Sequence, residues 1–179
     1  MSAQAQVDGG EAMAVKGSVP APGVIVPHLV VRDAAEAVEF YGRAFSAEIL
    51  FRSPSPSGNG EHIHLKIWDS LVQVSTEESN QRREKAEGAL LASPETLLGS
   101  TCVFQVGVAD VDEAFKRAVD EGAVLVLPPT DMFWGDRYGW ISDPFGHVWA
   151  LSKVNEVLSK EEIEERLRGF SAQMKGQIL

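Results

Sequence analysis

One stretch of this chain occurs twice, and an internal duplication restricts the possible folds more than any other feature of the sequence. Val31-Arg32-Asp33-Ala34-Ala35-Glu36-Ala37-Val38-Glu39-Phe40-Tyr41 returns as Val108-Ala109-Asp110-Val111-Asp112-Glu113-Ala114-Phe115-Lys116-Arg117-Ala118. An offset of 77 residues places Val31 on Val108, Asp33 on Asp110, Glu36 on Glu113 and Ala37 on Ala114. In each copy an apolar run ends in Asp and a helical pattern opens at once. A carboxylate there accepts from the free amides of the first turn, so each Asp is an expected N-cap.

The flanks repeat as well. A strand is expected over Val24–Val31, with Pro27 marking an edge or a bulge because it has no N–H to donate. Val38, Tyr41 and Phe45, with Ala34, Ala37 and Ala44, stripe a helix ending near Ser46. A short strand over Glu48–Arg52 and a Ser/Pro/Gly loop over 53–60 follow. The run Glu61–Trp68 alternates, with Ile63, Leu65 and Ile67 on one face and His62, His64, Lys66 and Trp68 on the other. A turn at Asp69-Ser70 then leads into the strand Leu71–Ser75, closing a hairpin.

Residues 77–100 read as a linker. After it come a strand over Thr101–Val108, a helix striped by Val111, Ala114, Phe115, Ala118 and Val119 and closed by Gly122, and a strand over Val124–Leu127. A loop from Pro128 to Arg137 and a closing hairpin of Tyr138–Ser142 and His147–Lys153 complete the second half. Each half is β-α-β-β-β. Ser159 and Glu162 have capping-box spacing ahead of a helix striped by Ile163, Leu167 and Phe170. The expected division is a tail (1–22), a module (23–76), a linker (77–100), a module (101–154), and a C-terminal helix with its tail (155–179).

The formal charge of −10, with no basic cluster, argues against nucleic acid or an anionic membrane as partner. No run approaches a membrane span, and residues 1–22 lack the basic start and apolar centre of a signal peptide. Cys102 is the only cysteine, so no intrachain disulfide can form and a reducing cytoplasm fits. Alternation places Cys102 with Phe104 and Val106, where burial is expected.

Two such modules, each with a helix opening just after an Asp, resemble the vicinal oxygen chelate superfamily, which includes glyoxalase I, bleomycin-resistance proteins and extradiol dioxygenases. Pro27–Asp33, Phe40-Tyr41, Asp131–Gly139 and Asp143-Pro144-Phe145-Gly146-His147 resemble its PhnB-like branch. The resemblance spans residues 24–168. It implies an α+β fold in which two βαβββ modules form a cupped mixed sheet, with a C-terminal helix added here. It also implies a homodimer.

In metal-using members, four ligands lie on the inner faces of the strands, and those positions here are Val26, Gln73, Val103 and Ala150. Three cannot bind a metal and Gln73 is a weak neutral donor, so no metal and no cofactor is expected. Alternation from these positions turns His28 and Val30, and Gln105 and Gly107, into the cup, with His28 and Gln105 again 77 apart. The expected ligand-binding set is His28, His62, His64, Trp68, Gln73, Gln105, Phe133, Trp134, Arg137 and Tyr138. Phe133, Trp134 and Tyr138 offer flat surfaces, and Arg137 a partner for an anion, unless it pairs with Asp136. His147 is expected on the helix-packed side with Trp149, serving local structure.

No catalytic residue stands out, so a binding protein holding a small aromatic or heterocyclic molecule in a metal-free cup is the first expectation. The alternative is a lyase, isomerase or dioxygenase using His28 and His64 as general base or as ligands of a non-standard metal site. A third is an interaction protein with a vestigial cup.

Overall fold

The structure, a computed structural model, describes residues 20, 22–55, 58–77 and 91–177. The elements run β1 (His28–Val31), α1 (Ala34–Phe45), β2 (Glu48–Pro54), β3 (Glu61–Ile67), β4 (Ser70–Thr76) and α2 (Pro94–Leu97). The second module adds β5 (Val103–Gly107), α3 (Val111–Asp120), β6 (Val124–Asp131), β7 (Asp136–Ser142) and β8 (Val148–Val154), and α4 (Lys160–Gln177) follows. Two mixed four-stranded sheets result, ordered β1-β4-β3-β2 and β5-β8-β7-β6, with β1 parallel to β4 and β5 parallel to β8. The tail 1–22 lies almost wholly outside the described residues, as does 78–90 of the expected linker.

Both helices open as their caps require. Asp33 is extended, and its carboxylate accepts from Ala35 N at 2.9 Å and Glu36 N at 3.0 Å. Asp110 does the same for Glu113 N at 3.0 Å. Ser46, left-handed at φ 57°, ends α1, and Ala47 N donates to the Tyr41 carbonyl at 3.1 Å. Ser159 and Glu162 form the expected capping box, Ser159 N to Glu162 Oε2 at 2.8 Å and Glu162 N to Ser159 Oγ at 3.3 Å.

Several boundaries differ from the sequence reading. β1 begins only at His28, because Pro27 offers no donor; its carbonyl accepts from Gln73 N at 2.9 Å and the ladder starts there. The expected loop 128–137 is mostly strand. β6 continues to Asp131 through Pro128 and Pro129, which an edge strand with shifted register tolerates, and only Met132–Gly135 make the turn. The described end of the linker contains the helical turn α2, capped by the buried Ser93. Val119 is 40% exposed, off the core stripe of α3.

The two helices lie in one hydrophobic core that draws on both modules. Tyr41 and Phe45 of α1 sit 5.8 and 5.0 Å from the ring of Trp149 on β8, so the first helix also packs on the second sheet. Gly139 makes room for α3: a Cβ there would lie 2.8 Å from Phe115 Cε2 and 2.9 Å from the Leu127 carbonyl. The modules are also joined by polar bonds at the Asp143 turn. Its Oδ2 accepts from Tyr41 OH at 2.7 Å and Trp149 Nε1 at 2.9 Å, and its Oδ1 from the amides of Phe145 at 3.0 Å and His147 at 2.9 Å. His147 Nε2 donates to the Val30 carbonyl at 3.2 Å. That is the structural duty expected of His147, and burial holds its imidazole below the usual range. With both helices inside, the other face of each sheet turns outward. Among the described residues no helix is long and apolar enough to cross a membrane.

Candidate functional site

The outward faces carry the groups not used by the core. On the first sheet, β4 lies between β1 and β3, and Gln73 is in register with both His28 and His64. Ser75 is in register with His62 one step along. His28 Nε2 reaches Ser75 Oγ at 2.9 Å, and its ring meets His62 edge-on with centroids 5.3 Å apart. His62 Nε2 and His64 Nε2 are 3.0 Å apart, an N–H···N bond between two imidazoles. Phe51 of β2 lies edge-on to His64 at 5.5 Å. Burial holds His28 and His62 below the usual imidazole range, and the neighbouring imidazoles add to it: His62 and His64 for His28, His64 for His62.

The second sheet repeats this lattice with different chemistry. Gln105 and Ala150 are in register where His28 and Gln73 are, and Gln105 Nε2 donates to Ser152 Oγ at 3.4 Å as the counterpart of the His28–Ser75 contact. Tyr138 faces Ser152 and Trp140 faces Ala150, so these two rings occupy the places of His62 and His64. Rings continue from there. Trp140 to Tyr138 is 6.4 Å, Tyr138 to Trp134 5.4 Å, Trp134 to Phe133 4.8 Å and Phe133 to Phe170 of α4 5.6 Å. At the far end, Phe133 and Phe170 line a cavity of about 430 Å³ with Asp131, Asn155, Glu156 and Arg166. Trp140 Nε1 is buried without a hydrogen-bond partner.

The expected site set is therefore divided. His28, His62, His64 and Gln73 come together on one sheet, and Gln105 and Tyr138 lie on the other, with Trp134 in the β6–β7 turn against Tyr138 and Phe133 passing to the α4 cavity. Trp68 does not join them. It sits in the β3–β4 turn at φ 50°, which breaks the alternation of β3, and its ring packs on Phe45 at 5.0 Å on the core side. Arg137 is engaged by Asp112 at 2.7 Å and Asp131 at 3.4 Å, neither of them the Asp136 expected as its partner. Cys102 is exposed, since it precedes β5 and the alternation starts only at Val103. Trp140 and Ser75 were missed. Carrying the alternation of β7 two residues past Tyr138, and that of β4 two past Gln73, finds both.

Residues 23–151 match the Glyoxalase/Bleomycin resistance protein/Dioxygenase superfamily. The chain belongs to that superfamily. It is 39% identical over 138 residues to the uncharacterized protein Rv0887c of Mycobacterium tuberculosis, covering 77% of this chain and 78% of that one. TioX from Micromonospora sp. ML1 is similar in structure, with a TM-score of 0.55 at 29% identity over 73% of this chain and 97% of that one. The fosfomycin resistance protein FosX of Listeria monocytogenes shares the fold, with a TM-score of 0.53 at 17% identity over 80% of this chain and 99% of that one.

Membership raises the question of a metal. The residues that the resemblance places at the metal-ligand positions, Val26, Gln73, Val103 and Ala150, supply one neutral oxygen between their side chains and do not fit a divalent ion. Among the described residues, no group of three or more His, Cys, Asp and Glu side chains is disposed to hold one ion.

Proposed function

We propose that this member of the superfamily binds a small aromatic or heterocyclic molecule between the outward faces of its sheets, without a metal at the superfamily position. The observation that carries this reading is the paired lattice, with the imidazoles of His62 and His64 at the positions where the other sheet presents Tyr138 and Trp140, and the Gln73 amide beside them where that sheet has Ala150. Ligand pockets combine apolar and aromatic area with a few convergent polar groups, and each face supplies one part. Because both helices lie between the sheets, the two faces of one chain point apart. A homodimer that lays the first sheet of one copy over the second sheet of another unites them. Within the superfamily, the run Asp131–Gly139 with the Asp143–His147 turn supports placement in the PhnB-like branch.

A panel of flat aromatic and heterocyclic compounds tests the reading by thermal stabilisation, measured alongside sedimentation. A ligand at a hundred times its dissociation constant adds about 2.7 kcal/mol. The expected result is a dimer stabilised by panel members and not by divalent ions. A monomer unaffected by every compound overturns the proposal.

A further inference from the structure

The three imidazoles have a chemistry that the aromatic ladder lacks. His62 is the central ring, 5.3 Å from His28 and 5.0 Å from His64. If its Nε2 donates across the 3.0 Å contact to His64, Nδ1 of His62 holds a lone pair. The strands on either side present Gln73 and Ser75 from β4 and Phe51 and Ser53 from β2. Glu48 and Lys66 lie one register step beyond, with Lys66 3.6 Å from Asp69. Phe51, 37% exposed, gives a planar ligand an apolar surface beside the nitrogens.

We propose that this cluster takes a phenol-class ligand as its conjugate base, the ligand's hydroxyl proton passing to His62. The inference rests on the ligand-binding reading above. The ligand's O–H bond breaks with its electron pair left on oxygen, and an N–H bond forms on the imidazole lone pair. Proton and anion enter together, so the site gains no net charge. Before the ligand enters, His28 and His62 favour the neutral form, because burial and the neighbouring imidazoles disfavour their protonation. A permanent anion therefore meets no imidazolium at His28 or His62. A weak acid brings its own.

The probe is 4-nitrophenol, whose ionisation is visible by absorption, with 4-nitroanisole as the same ring without the hydroxyl. In a weakly buffered solution acidic enough to keep free 4-nitrophenol neutral, binding is expected to produce phenolate absorption with no proton released. The anisole should bind roughly ten- to a hundredfold more weakly, the value of a hydrogen bond to a charged group. His62→Gln keeps a polar side chain without a titratable nitrogen and should lose the phenolate signal while its thermal midpoint stays near that of the parent.

Equal affinity for both probes, bound 4-nitrophenol that stays neutral, or a phenolate signal surviving in H62Q each overturns the inference. Binding of other aromatic compounds but not 4-nitrophenol overturns this inference alone. No binding by any compound overturns the underlying reading as well.

Discussion

Two tryptophans illustrate how much a single N–H decides. Trp149 Nε1 donates to the buried Asp143, whereas Trp140 Nε1 has no partner. Replacing Trp149 by Phe leaves a buried carboxylate short of a donor, while Trp140→Phe removes a donor that gains nothing. Chemical denaturation should show W149F to be the more destabilised by about 1–3 kcal/mol; equal losses would count against the assigned network. His147 supplies a pH test. Its folded pKa lies below the unfolded value because burial disfavours the imidazolium, so the unfolded chain binds more protons as the pH falls. Its contribution is complete above the ordinary imidazole pKa of about 6.5 and is lost as the pH drops through the lower, folded value. Stability measured against pH should therefore fall less steeply below neutrality in His147→Gln than in the parent.

Among the elements, what could be read in advance was what depends on local chemistry. Asp33 and Asp110 announced both helix starts because a cap acts on amides two or three residues away, and Asp33→Ala should cost about 1 kcal/mol in a denaturation midpoint. The alternation of Ile63, Leu65 and Ile67 against His62 and His64 was visible for the same reason. What failed depended on neighbours absent from the local sequence. Pro128 and Pro129 look like a loop until β6 proves to be an edge strand. Trp68 looks like a face residue until the turn gives it a positive φ. Arg137 looked available to a ligand, yet it reaches Asp112 on α3, 25 residues away. Gly139 gave no local signal because its role is to admit Phe115. Gly139→Ala should overpack that contact and cost about 1–3 kcal/mol, measured by thermal unfolding; a neutral result would mean that α3 shifts freely.

On the scale of the molecule, the duplicated halves do not behave as two domains. Tyr41, Phe45 and Trp149 belong to one cluster, Tyr41 and Asp143 bond across the halves, and Arg117 Nε donates to the Ala44 carbonyl at 2.7 Å. Burying an aromatic side chain contributes about 1.5–3 kcal/mol, and either half alone would expose several. Calorimetry should therefore give one transition whose van't Hoff and calorimetric enthalpies agree. Two resolved transitions would show that the shared core is weaker than its contacts imply.

The common lattice of the two outward faces bears on how such a chain can diversify. Each wall hangs on its own backbone and shares no side chain with the other. A substitution at His64 changes the reactive groups offered, and one at Trp140 changes the flat area offered, without either re-spacing the opposite wall. On the proposed ligand-binding reading, new specificities can then arise by drift on one wall while the other preserves residual affinity. A gene duplication followed by fusion leaves that freedom behind, because it supplies two interchangeable sets of addresses and only the core must stay constant.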